Sequence, residues 1–343
     1  MTDNSSPLYR EDISSVLKLD CDWSQLRNKT LLITGATGLI GTYLTDMFLF
    51  LNEKYSLNLN LVLLSRHEKE SGLPNVKYIS HDINTPFEYD SRVDFVIHAA
   101  SNTHPVAYST QPIETITTNI FGTKFLLDLV SKNPGSRFLF LSSVEIYGND
   151  YSENENGMSE TDMGYLDCNS TRAGYCETKR LCESLCQAYI SQKNADCVIA
   201  RLCRCYGPTQ KKDDSKALSQ FLRNGIEGKD IVLKSKGEQY FSYLYASDAA
   251  CALIFLLLNG KNGEAYNVAD RESNITLKEL AELIAGNCST KVIYDLPDET
   301  ESKGFSKATR AILDSSKINA LGWKAQFNVA NGIERTIKLG REI

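Results

Sequence analysis

No stretch of this 343-residue chain approaches the roughly 18 consecutive apolar residues that a membrane-spanning helix needs. Its start, MTDNSSPLYRED, has no basic stretch followed by an apolar one, so no secretory leader is legible. Long runs of like charge are missing as well. The net charge of −6 is spread along the sequence and offers nothing to nucleic acid or to an anionic membrane surface. An anionic substrate would need a basic pocket of its own. The ten cysteines are scattered and no CxxC occurs. Cys176, Cys182 and Cys186 lie close together, but no histidine accompanies them, and that spacing argues against a zinc site. Cys197, Cys203 and Cys251 sit among apolar neighbours and read as reduced thiols acting as small hydrophobes. No repeat and no low-complexity segment is visible. These absences describe a cytoplasmic protein with no metal, nucleic acid or membrane partner.

What is present is an alternation. Composition is ordinary, 42% hydrophobic and 23% charged. From Thr30, short apolar runs read as strands: 31–34, 59–65, 76–80, 93–100, 136–143 and 197–202. Helical stretches separate them at 43–54, 113–132 and 171–192. Strands that are nearly all apolar, each followed by a helix, mean a parallel sheet covered on both faces. The class is α/β, doubly wound. Residues 1–28 read as an N-terminal extension lying on the surface. The C-terminal part is less regular, with short runs at 230–235, 264–270 and 291–295, a helix at 276–287, and a closing DSSKINALGW. Two loops, YGPTQKKDD (206–214) and SENENG (152–157), look placed over a site.

TGATGLIG (34–41) joins the first strand to the first helix. Gly35, Gly38 and Gly41 allow a tight turn and a close approach of backbone to a pyrophosphate, with the helix N–H groups facing it. In that setting the triplet is a dinucleotide cradle, to which Thr37, Leu39 and Ile40 also belong. Ser65 and Arg66 end the second strand, where a preference for NAD usually puts an acid. A hydroxyl followed by a guanidinium suits a 2′-phosphate, which tilts the cofactor from NAD toward NADP. The alternative is Arg66 as a plain surface charge. Asp82, with Ile83, follows the third strand, close to where adenine would lie.

GYCETK puts Tyr175 and Lys179 four apart, on one face of a helix. An ammonium beside a phenol favours the phenolate and lowers its pKa from about 10. Such a tyrosine can take a proton from a sugar hydroxyl while hydride leaves the same carbon. Tyr189 and Lys193 share the spacing but lie farther along the helix and read as structural.

With the glycines, the LSSVEIYG strand end, Tyr175, Lys179 and RLCRCYGP (201–208), the chain resembles the extended short-chain dehydrogenase/reductase superfamily. Within it, it is most similar to nucleotide-sugar epimerases, 4,6-dehydratases and UDP-glucuronate decarboxylases. The likeness runs over roughly 29–338. It implies a Rossmann-type domain over 29–205, to which 243–268 returns, and a smaller, discontinuous α/β substrate-binding lobe from 206–242 and 269–343. It also implies a homodimer through the two long helical stretches. Carried over residue by residue, Ser143 binds the sugar O4, Tyr175 is the acid/base and Lys179 its partner. Asn119 supports the lysine through water, and Ala99 and Ala100 pass under the cofactor. Ser101, Arg201, Arg204 and Arg310 are implied substrate contacts. His98, alone on an apolar strand, has no chemical role.

Glu145 matches an acid that dehydratases and decarboxylases place against C5 and C6 of the sugar. Its alternative is a solvated turn residue. Three positions depart from the pattern. Val144 replaces an Asp acid, Arg204 replaces an Asn that meets the substrate diphosphate, and Phe241 replaces an Arg that clamps it. Arg204 is then expected to take over the clamp. The reading is an enzyme that modifies a nucleotide-diphosphate sugar through a transient 4-keto intermediate. An NADPH-dependent reductase of a 4-keto-6-deoxy sugar uses the same residues but leaves Glu145 idle. A non-catalytic dinucleotide-binding sensor is disfavoured because both Tyr175 and Lys179 are present.

Overall fold

The computed structural model describes residues 6–66, 70–103, 108, 110–148, 155–212, 214–295 and 309–342. The first half of the expected loop at 152–157 lies outside them.

Seven strands form one parallel sheet: β1 (Thr30–Thr34), β2 (Asn60–Ser65), β3 (Val76–Ser80), β4 (Phe95–His98), β5 (Arg137–Ser143), β6 (Asp196–Leu202) and β10 (Ala265–Val268). Their spatial order is β3-β2-β1-β4-β5-β6-β10. The order turns back between β1 and β4, and the crevice beyond those strand ends is where such sheets take ligands. Successive residues point to opposite faces. Leu31, Ile33, Leu139 and Ala200 join the core under α1 (Pro7–Ser14), α2 (Leu39–Tyr55) and α6 (Ala246–Asn259). Leu32, Phe138, Phe140 and Ile199 face the other way, against α3 (Pro112–Ser131) and α4 (Ala173–Lys193). This is the doubly wound α/β sheet that the alternation implies.

A smaller lobe has its own core. The strand β9 (Tyr240–Tyr245) pairs with β7 (Arg204–Tyr206), β11 (Asn274–Thr276) and β13 (Arg310–Ala311). Beside it pack α5 (Ala217–Ile226), α7 (Leu277–Cys288) and α9 (Val329–Glu342), burying Phe221, Leu280, Ile284 and Ile333. Strands β8 (Ile231–Leu233) and β12 (Val292–Tyr294) make a parallel pair at its edge. The short α8 (Ser316–Leu321) follows β13.

The segment before β1 is not a surface attachment, as its polar composition had suggested. Tyr9, Asp12 and Val16 have no exposed surface. Asp12 accepts hydrogen bonds from Tyr43 (2.9 Å) and Tyr245 and is ion-paired with Arg335 Nε at 2.6 Å. One acid thus ties α1 to α2, β9 and α9. Helix α6 escapes a reading by periodicity because thirteen of its fourteen residues are buried and it has no polar face.

Candidate active site

The turn after β1 is shaped by its glycines in different ways. Gly35 has φ +68°, and a Cβ there would meet Ala99 and Ala100 backbone at 2.9 Å. At Gly41 a Cβ would lie 2.1 Å from Gly35 O. Both are needed for the chain to pack at all. Gly38 differs: its Cβ would meet only Gly35 O, at 3.2 Å, so the space over it is open. That opening at the start of α2 fits a pyrophosphate, with Thr37, Leu39 and Ile40 around it. Thr34 Oγ1 accepts from Ala100 N (3.0 Å) and pairs with His98 Nδ1 (2.9 Å), joining the ends of β1 and β4. Burial holds His98 down at about 3, a neutral packing residue.

Ser65 closes β2, and Arg66 follows it, exposed. Asp82 lies in the turn after β3, accepting from Asn84 N at 3.0 Å, and Ile83 packs on Gly122 of α3.

Across the crevice, Tyr175 is 5% exposed, and Ser143 and Ser101 lie close enough to its phenol to favour the ionised form. Ser101 also donates to Asn119 Oδ1 (2.7 Å), whose Nδ2 donates to Thr178 Oγ1 at 3.0 Å. Asn119 therefore steadies Ser101 and α4. Lys179 is 3% exposed and donates to Leu141 O at 2.7 Å, with its Nζ 4.7 Å from the Phe140 ring and 5.9 Å from that of Tyr175. Burial brings its ammonium down to about 8. Among the described residues only Leu141 O accepts from it, which leaves two N–H donors that could serve the hydroxyls of a nicotinamide ribose. The expectation that Lys179 lowers the Tyr175 pKa is not met in the protein alone. Burial pushes the phenol well above its ordinary value, outweighing the influence of the two serines.

Behind these residues lies a brace the sequence did not reveal. Glu183, two turns beyond Tyr175 on α4, accepts from Ser142 and pairs with Arg201 Nη2 at 2.7 Å. Arg201 also donates to Tyr147 Oη (2.9 Å) and to Glu160 O (2.8 Å). Arg201 is buried with its donors used internally, so the expectation that it contacts substrate is corrected. Arg180 donates to Ile146 O (2.7 Å) and Gly164 O (2.8 Å). The short turn Val144–Tyr147 is thus held from both sides, and with it Glu145.

Glu145 is partly exposed, its side chain 39% accessible, and it is paired. Its Oε1 is 3.4 Å from Arg204 Nη2, and its Oε2 is 4.0 Å from Cys176 Sγ. Arg204 in turn lies on Phe241, with its Cζ 3.7 Å from the ring centroid. Two departures from the expected pattern therefore touch each other, and one of them touches Glu145. Arg310 has its guanidinium 5.6 Å from the Tyr240 ring, on the strand that pairs with Tyr240 and Phe241. Tyr189, the structural member of the second Tyr–Lys spacing, donates to Asp128 at 2.5 Å. Tyr108, which nothing in the sequence marked, stacks on Tyr175 at 4.7 Å. Groups of three or more metal-ligating side chains do not occur among the described residues.

The family model described as "NAD dependent epimerase/dehydratase family" matches residues 31–269. UDP-glucuronic acid decarboxylase 6 of Arabidopsis thaliana is 30% identical over 316 residues, covering 89% of this chain and 87% of its own. UDP-glucuronic acid decarboxylase 1 of Danio rerio is 29% identical over 318 residues, covering 92% and 73%. Among solved structures, dTDP-glucose 4,6-dehydratase of Streptomyces venezuelae with NAD bound superposes with a TM-score of 0.77 at 23% identity, over 91% of this chain and 97% of that one.

Proposed function

The chain belongs to the NAD-dependent epimerase/dehydratase family, and from that premise we propose that it modifies a nucleotide-diphosphate sugar through a transient ketone at C4, with Glu145 then acting at C5 or C6. The observation that carries this reading is the convergence of Ser143, Ser101, Tyr175 and Lys179 on one side of the crevice with Glu145 on the turn that continues from Ser143. A bound nicotinamide dinucleotide would supply the acceptor for the C4 hydride and return it at the end of the cycle, to C4 or, after loss of water, to C6.

The chain's own residues do the rest. Ser143 and Ser101 hold O4 against Tyr175, whose Oη takes the O4 proton. Lys179 keeps a positive charge beside that phenolate and binds the ribose. A ketone at C4 acidifies the C5 proton, and Glu145 removes it. In its acid form the same carboxyl can protonate a departing C6 hydroxyl. Loss of water across C5 and C6 and inversion at C5 both follow from removal of the C5 proton. Loss of carbon dioxide from a C6 carboxylate instead breaks the C5–C6 bond and needs an acid, such as protonated Glu145, to deliver a proton to C5. The decarboxylases and the dehydratase among its relatives, by their names, carry out chemistry beyond C4, which supports a working Glu145.

Helices α3 and α4 expose Ile113, Phe121 and Leu181, apolar surface that supports pairing of two copies along these helices. Arg66, exposed past β2, supports NADP over NAD and favours a second reading, an NADPH-dependent reductase of a 4-keto-6-deoxy sugar. The deciding experiment is to denature freshly dialysed protein and identify the released dinucleotide by mass and absorbance. Oxidised cofactor near one per chain supports internal recycling of the hydride. An empty protein that binds NADPH reversibly, and far better than NADH, supports the reductase and sinks the first reading.

A further inference from the structure

We propose that Arg204 is the positioning residue of Glu145, held in that task by Phe241, and that it does not clamp the substrate diphosphate. The proposal rests on the reading of Glu145 as the group that acts at C5 or C6. The resemblance alone points the other way. Arg204 stands where an asparagine would meet the diphosphate, and a guanidinium there is expected to take over the role of the arginine replaced by Phe241.

The geometry assigns the charge elsewhere. Phe241 gives the guanidinium a flat apolar surface at 3.7 Å, the stacked arrangement that a planar cation takes on an aromatic ring. Strand β7 runs parallel to β9 with Arg204 in register with Tyr243, so Arg204 and Phe241 share a face of the small sheet. On that platform Nη2 points at Glu145 Oε1, 3.4 Å away. Nη1 is buried and makes no hydrogen bond among the described residues.

The other carboxylate oxygen lies 4.0 Å from the Cys176 thiol. Glu145 is therefore held at both oxygens, one by a cation and one by a thiol next to Tyr175 in sequence. An arginine at Phe241 would set two like charges in contact, and a small aliphatic residue there would leave Arg204 without its platform. The two departures are thus one device, which places positive charge at the reacting end of the sugar.

The test has two arms. In the first, calorimetry with UDP, dTDP, GDP and CDP identifies the nucleotide diphosphate bound best, and its affinity is measured for Arg204→Met. A positioning residue leaves that affinity within about twofold, whereas loss of a diphosphate clamp weakens it roughly tenfold or more. The second arm uses UDP-glucuronate and dTDP-glucose as trial sugars. It follows reduced cofactor by absorbance and C5 deuterium uptake from heavy water by NMR. Arg204→Met should keep C4 oxidation within a few-fold and slow C5 exchange by on the order of tenfold or more. Phe241→Leu should show the same split more weakly, and Phe241→Trp should restore exchange.

Parallel losses in diphosphate affinity and in both steps would overturn the proposal. So would unchanged C5 exchange in Arg204→Met. If Glu145→Gln itself leaves exchange intact, or the native chain binds none of the four diphosphates, it is the underlying reading of the site that fails.

Discussion

Tyr108 lies flat against Tyr175, ring centroids 4.7 Å apart and planes inclined by 20°. The stack keeps water from the phenol, and burial is the first cause of its raised pKa. Tyr108→Ala should hydrate Tyr175, loosen its angle to Ser143, and lower turnover by roughly tenfold. Tyr108→Phe keeps the stack and should stay near the native rate. Steady-state kinetics of the two variants side by side check this. Equal rates in Tyr108→Ala and native protein would leave the stack without a part in the chemistry.

The state of Lys179 sets a pH limit. Its ammonium is brought down to about 8 from the usual 10.5, so it is charged below pH 8 and neutral above. If that charge supports ionisation of Tyr175, kcat/KM should fall as pH rises through about 8, and Lys179→Arg should move the fall to higher pH. The stability effect has the opposite sense. Between pH 8 and 10.5 the unfolded chain binds the proton and the folded chain does not, so stability rises with pH across that window. At pH 7 the buried charge is a cost, and Lys179→Met should stabilise the fold by about 1–3 kcal/mol while abolishing turnover. Urea unfolding at pH 7 and pH 10 measures both effects.

Glu145 separates the two enzyme readings. Glu145→Gln keeps the size of the side chain and removes its charge. Chemistry at C5 or C6 should then lose on the order of a hundredfold, while a reductase should keep most of its rate. Tyr175→Phe should stop both and leave dinucleotide binding intact. Product analysis by NMR with the best nucleotide sugar is the measurement.

The glycines make unlike demands. Gly41→Ala puts a methyl 2.1 Å from a carbonyl oxygen and should lower the melting temperature sharply. At Gly38 the added carbon meets only one atom, at 3.2 Å. Gly38→Ala should fold nearly as well as the native chain and lose dinucleotide affinity. Thermal melts with and without added NAD distinguish the two.

The sheet was legible because its strands are short, apolar and evenly interrupted by helices, and Tyr175, Lys179 and the glycine turn could be located from local spacing. Other parts had no local signal. Helix α6 is apolar on every side, so it shows no stripe. Asp12 reads as an ordinary polar residue near the start, because its partners Tyr43, Tyr245 and Arg335 are brought to it only by the fold. Arg201 and Arg204, three positions apart, look interchangeable in RLCRCYGP. One is drawn inward by Glu183, while the other is held at the crevice by Phe241 and Glu145. Neither choice is written in the segment that carries them.

The pairing of Asp12 with Arg335 joins residues 323 positions apart. At about 5–20 residues per second, on the order of 20–60 seconds of synthesis separate their appearance at the ribosome. For most of that interval a carboxylate destined for a buried site has Tyr43 as a partner, with Tyr245 arriving late and the cation last. The ion pair of the first helix is therefore among the last contacts that synthesis permits. A polypeptide cut short before residue 335 would bury Asp12 without the cation that offsets the cost.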